Sequence, residues 1–165
     1  MSLIASVLCA SLVSQQQPFA QNMIQFEKWV GTWEGSGWQM AGETKQEFKS
    51  IETIRKQSGG AVYIIEAKHW FDEAGKPNNV FFDVFGTFTF DREQKKHLLS
   101  MYYPNGTVPV YELTMKDNGF VWNIPLRDNS YAMSVEFDGD TWKEAGYMTQ
   151  DGKKRQMFEL NMKRK

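Results

Sequence analysis

From Gly31 onward, apolar and polar positions alternate in short runs divided by turn-forming residues. Successive side chains of a strand point to opposite faces, so these runs predict strands. They lie near residues 32–40, 44–56, 61–71, 79–91, 96–103, 108–116, 120–126, 130–138, 141–149 and 154–163. Between them stand "SGG", "DEAGK", "YPNGT", "KDNG", "FDGD" and "QDGK", in which glycine makes a tight turn easy. "RDNS" does the same without glycine. Hairpin-length spacing predicts antiparallel neighbours throughout. Ahead of the strands, "QNMIQFEKWVG" places Met23, Phe26 and Val30 at helical spacing, with Asn22 able to cap the start and Gly31 to end it. One short helix over 21–30 follows from this pattern, and no second long one.

Two runs depart from simple apolar-in, polar-out alternation. "VFFDVFGTFTF" carries Val80, Phe82, Val84, Gly86, Phe88 and Phe90 on one face, and Phe81, Asp83, Phe85, Thr87 and Thr89 on the other. "AVYIIEAKHWF" is apolar on both faces, interrupted by Glu66, Lys68 and His69. Such strands suit a sheet closed on itself, which also removes exposed edges. The expected fold is all-β: a single antiparallel meander barrel of about ten strands with one short N-terminal helix. A barrel of that strand number can enclose one small ligand.

"GTWEGSGW" raises a question of faces. In a uniform strand Trp33 and Trp38 point to opposite sides. Either a bulge at Gly35–Gly37 adds a residue and brings both rings to one side, or Trp38 lies outside under a neighbouring element. The paired glycines favour the bulge, which would make Trp38 a wall of the interior.

Composition narrows the classes of partner. Net charge is −1 and the pI is about 6.1. That balance speaks against nucleic acid, which needs a basic stripe. Aromatics reach 15%, a content that suits a β-protein with a thick apolar interior. The single cysteine, Cys9, falls in "LIASVLCASLV", an apolar run from Leu3 to Val13 that precedes "SQQQ". The run is too short to span a bilayer and matches the apolar part of a signal peptide. A positive n-region is missing, and a short buried helix is the alternative. The expected organisation is therefore a leader over 1–20 and a barrel domain over 21–165. The mature chain would be cysteine-free, periplasmic or secreted, with no stable membrane insertion after leader removal.

A helix, then "VGTWEGSGW", then a meander of hairpins ending in "RQMFELNMKRK" resembles the calycin superfamily of lipocalins and fatty-acid-binding proteins. More narrowly, the chain resembles short bacterial lipocalin-like barrels of unassigned function. These share the flow "IEAKHWFDEAGK", "FGTFTFD" and "DTWKEAGYMTQDGKKRQMFELNMKRK", a likeness that covers roughly residues 26–165. The resemblance implies that Trp33, in Gly31-Thr32-Trp33, plugs the closed end. Lys163 or Arg164 would pack over it, in a cation–π contact that serves stability. It also directs attention to two known chemistries that this chain does not match. Nitrobindins open with a similar Gly-Thr-Trp and hold haem through a late histidine. Here no histidine follows His97, leaving Tyr147 or Met148 as substitutes. Fatty-acid-binding proteins use an Arg and a Tyr near the end of the chain, but Met157 follows Arg155 at that spacing.

Candidate chemistry is sparse. There is no G-x-S-x-G. With two histidines and no cysteine after the leader, no metal set is assigned, and His69 reads as a structural histidine. Gly35 and Gly37 precede no helix, so they make no phosphate cradle. "NGT" at Asn105 reads as a tight turn. Glu144 shares a face with Trp142, Gly146 and Met148, and Glu66 shares one with Val62, Ile64, Lys68 and Trp70. Either carboxylate could be solvated or could orient a ligand. The reading is non-catalytic binding of a small, mainly hydrophobic molecule, without a cofactor. Candidate lining residues are Trp38, Trp70, Phe88, Met101, Tyr102, Trp122, Asn123, Glu144 and Tyr147. The alternatives are an enzyme using the same cavity and an interaction module with a filled barrel.

Overall fold

The strands form where the alternation places them. The computed structural model describes residues 20–73, 76–126 and 129–165; the expected leader falls almost wholly outside them. The strands are β1 (Gly31–Ala41), β2 (Thr44–Gln57), β3 (Val62–Glu73), β4 (Lys76–Asp91), β5 (Lys96–Tyr102), β6 (Val110–Lys116), β7 (Gly119–Pro125), β8 (Ser130–Asp138), β9 (Thr141–Gln150) and β10 (Lys153–Arg164). Each pairs antiparallel with its sequence neighbours, and β1 pairs with β10 to close the barrel. Among the described residues, no helix is long and apolar enough to cross a membrane.

The short N-terminal helical element stands where it is expected, with residues 20–22 α-helical and Ile24–Trp29 wound as a 3₁₀ helix instead of continuing the α-helix. The physical reason is its buried stripe. Met23, Phe26 and Trp29 are all fully buried, whereas Val30 is only partly so. Their spacing of three is the period of the 3₁₀ helix, which stacks i and i+3 on one line. The turn has no side-chain cap. It is held instead by its tertiary partners. Glu27 accepts a hydrogen bond from Tyr63 Oη at 2.8 Å and pairs with Lys56 at 2.7 Å, contacts that hold its carboxyl below the usual range. His97 Nε2 lies 2.9 Å from the Asn22 carbonyl oxygen.

β1 settles the question raised by its tryptophans, and it corrects the bulge. Pairing to β2 and to β10 runs without a break from Trp33 to Gln39, so Trp33 and Trp38 face opposite sides. Trp33 is buried. Trp38 faces out, with Lys45 Nζ 3.7 Å from its ring centroid. The glycines serve another purpose. A Cβ at Gly35 would sit 2.0 Å from the Asn161 carbonyl oxygen, and one at Gly37 would sit 2.0 Å from that of Glu159. Here β10 folds over the inner face of β1 in a sharp barrel corner that no side chain fits. A shift of register occurs elsewhere. His69 pairs with Phe82 and Trp70 with Val80, leaving Phe81 as an extra residue in β4. The bulge lets the consecutive Phe81 and Phe82 both reach the interior near one rim.

Candidate functional site

The strand directions give the barrel two unlike ends. One is shut by the 3₁₀ turn and an aromatic stack. Trp29 stacks on Phe137 at 4.7 Å, and Trp33 meets Phe137 and Trp142 edge-on at 5.4 and 5.6 Å. Trp33 Nε1 donates to the Trp29 carbonyl at 3.1 Å. Arg164 lies over Trp33, its guanidinium carbon 4.2 Å from the ring centroid. That guanidinium also bonds Asp140 at 2.9 Å, the Lys28 carbonyl at 2.9 Å and the Val30 carbonyl. Lys163, the other candidate for this position, is exposed.

Above the stack the interior is not filled. A cavity of about 230 Å³ remains, walled largely by apolar side chains that include Val84, Phe88, Leu99, Met101, Trp122 and Phe158. Phe81, Phe82 and Ile124 stand toward the opposite rim. This volume exceeds the roughly 150 Å³ apolar cavity known to take a benzene ring.

One polar group of residues interrupts the apolar wall. Glu52 on β2, His69 on β3 and Glu144 on β9 all line the cavity. Glu52 and His69 are buried, and His69 Nε2 lies 3.0 Å from Glu52 Oε1. His69 is further clamped between rings, with Phe82 at 4.6 Å and Phe48 at 5.1 Å. Burial pushes the Glu52 carboxyl up to about 8 and holds the His69 imidazole down to about 4. Their contact at neutral pH is thus a hydrogen bond between uncharged partners rather than an ion pair. Burial, reinforced by neighbouring Glu52, likewise pushes Glu144 up to about 8, against a smaller opposing pull from His69. Ser50 and Trp142 lie on the side of the charged forms, yet neither Ser50 Oγ nor Trp142 Nε1 closes a hydrogen bond of normal geometry. Among the described residues, no group of three His, Cys, Asp or Glu side chains is disposed to hold a metal ion.

Rv2717c from M. tuberculosis has a similar structure, with a TM-score of 0.63 at 14% identity, over 87% of this chain and 97% of that one. So does the S-type phycobiliprotein lyase CpeS from Guillardia theta, with a TM-score of 0.59 at 15% identity, over 91% of this chain and 97% of that one. The fold is that of a calycin-like barrel. No family model matches the chain, and no curated protein matches it by sequence.

The calycin-like barrel distributes the candidate lining residues unevenly. Phe88, Met101, Trp122 and Glu144 line the cavity. Trp38 does not, for the reason of phase given above. Trp70 and Tyr147 are likewise out of phase with the cavity-lining His69 and Glu144, and Lys154 Nζ sits 4.1 Å from the Tyr147 ring centroid. Tyr102 and Asn123 are exposed; Tyr102 packs outside against Phe85 at 5.5 Å. Glu66 is a surface residue paired with Arg55 at 2.6 Å. Sequence reasoning passes over Glu52. Its signal is present nonetheless, because on β2 Glu52 keeps phase with Phe48 and Ile54 and so turns inward.

Proposed function

We propose that this barrel binds a small, mainly apolar molecule in its interior. The observation that carries the reading is the 230 Å³ cavity with its apolar wall and few polar groups, the usual make-up of a small-molecule site. The narrower relationship to short bacterial lipocalin-like proteins, and export directed by the Leu3–Val13 run, belong to the same proposal and rest on the sequence. Native mass spectrometry of protein purified from its host tests it. A non-covalent small-molecule adduct is expected on the wild type. Ala67→Leu, which adds bulk to the cavity wall, should reduce it while circular dichroism stays unchanged. No adduct on the wild type, or equal occupancy in the two proteins, would count against the reading.

A second reading draws on the Glu52–His69–Glu144 group. A carboxyl that stays protonated near neutral pH is suited to donate a proton to a bound substrate. Catalysis would then separate from binding, with Glu144→Gln keeping the adduct and losing turnover.

A further inference from the structure

The polar groups around the cavity are one-sided in charge. Glu52 and Glu144 are acidic, Gln39 and Tyr103 are uncharged, and among the described residues no lysine or arginine lines the cavity. Elsewhere, carboxylates have cationic partners: Glu27 has Lys56, Glu66 has Arg55 and Glu112 has Lys96. Glu52 has only His69, held neutral by burial, and Glu144 has no cationic side chain within ion-pair distance among the described residues. Glu144 keeps some accessible surface deep in the barrel, and it lines the cavity. In the same wall Trp122, only 6% exposed, presents an indole ring to the cavity. The walls therefore hold two acids without a lysine or arginine partner among the described residues, beside several aromatic faces that attract positive charge.

We propose that the occupant is a lipophilic organic cation with N–H donors, of the amidinium or protonated-amine type. Its charged end lies on Glu52 and Glu144, and its apolar body lies among Phe82, Phe88 and Trp122. The inference rests on the small-molecule reading and deepens it. Paired with an amidinium, a carboxylate accepts two parallel charge-assisted hydrogen bonds. Near pH 7 the carboxyls hold their protons, so entry of the cation forms the ion pair and releases a proton to the buffer. The groups that face the acids are Ser50 on β2, His69 on β3, Tyr131 on β8 and Trp142 on β9, and the two acids face each other. His69 titrates well below neutrality, and burial together with Glu144 pushes Tyr131 up to about 12, so neither changes charge between pH 6 and 8. An anionic occupant would meet two acids and, among the described residues, no cationic side chain, and the apolar wall alone would not offset its desolvation.

Three near-isosteric probes decide the matter by isothermal titration of the full chain: 2-naphthamidine (cation), 2-naphthamide (neutral) and 2-naphthoate (anion). The amidine should bind about tenfold or more tighter than the amide, as charge-assisted hydrogen bonds warrant, and the naphthoate should bind weakest. The apparent enthalpy of amidine binding should vary with buffer ionisation enthalpy as a proton is released, and amidine affinity should rise between about pH 6 and 8. Glu144→Gln and Glu52→Gln, both isosteric, should bring the amidine-to-amide ratio near one. Naphthoate binding as tightly as the amidine, or a ratio that survives in both variants, overturns the inference. Amide binding without any amidine preference overturns it and leaves the small-molecule reading standing. Failure of all three probes overturns both.

Discussion

Glu144 and Glu52 make the interior sensitive to pH at the level of single side chains. Burial raises both carboxyls from an ordinary 4.5 to about 8. Between these values the folded protein keeps protons that the unfolded chain has released, so each rise in pH favours unfolding. His69 opposes this over its own window. Its imidazole is lowered from 6.5 to about 4, so stability from that source rises with pH across that range. From about pH 6.5 to 8 only the carboxyl effect remains. The melting temperature of the wild type should fall across that interval, and Glu144→Gln should flatten the slope. A wild-type melting temperature that holds level or climbs there would contradict the assignment. Residue by residue, the sequence is most informative where phase decides. Phase puts Glu144 on one face with Trp142 and Gly146, and Glu52 with Phe48 and Ile54, but it leaves open which face is inward, as Glu66 among Ile64 and Trp70 shows by pairing with Arg55 outside. The environments of these acids are not legible, because the groups around each come from strands distant in sequence.

At the scale of elements, the period-two pattern and the turn residues define all ten strands to within a few residues of their observed bounds. The N-terminal turn is less legible, since Met23 and Phe26 serve a 3.6-residue period and a three-residue period equally well. Trp29 distinguishes them only once its burial is known. β1 shows a deeper ambiguity. Glycine marks both bulges and close backbone approach, and only the path of β10 separates the two. The corner makes a sharp expectation. Gly37→Ala should destabilise the fold by about 3 kcal/mol, the upper end of overpacking, because the obstruction is backbone rather than a movable side chain. Chemical denaturation measures this directly. A loss below about 1 kcal/mol would mean that the corner relaxes easily.

For the whole molecule, closure joins the two most distant strands in sequence. The β1–β10 seam links Trp33 to Arg164 and runs to Gln39 opposite Phe158. Alternation predicts a closed barrel because it leaves apolar faces to cover and no edge to expose. It says nothing of how completely side chains fill the inside. The cavity depends on a sum of side-chain volumes set against barrel width. Where β4 bulges and β10 turns its corner, neither quantity follows from local pattern.

That seam also fixes how the protein answers to force. β1 begins and β10 ends at the same shut rim, so tension applied between residues 24 and 165 loads the β1–β10 hydrogen bonds one after another, starting at Arg164. Tension between residues 42 and 165 pulls the two strands lengthwise past one another and loads the same bonds together. In an optical trap the first geometry should open the barrel at distinctly lower force than the second. Equal forces would mean that the seam is not where the barrel parts. The clamp on Trp33 is thus a latch at the end of a zipper, strong against sliding and weak against peeling.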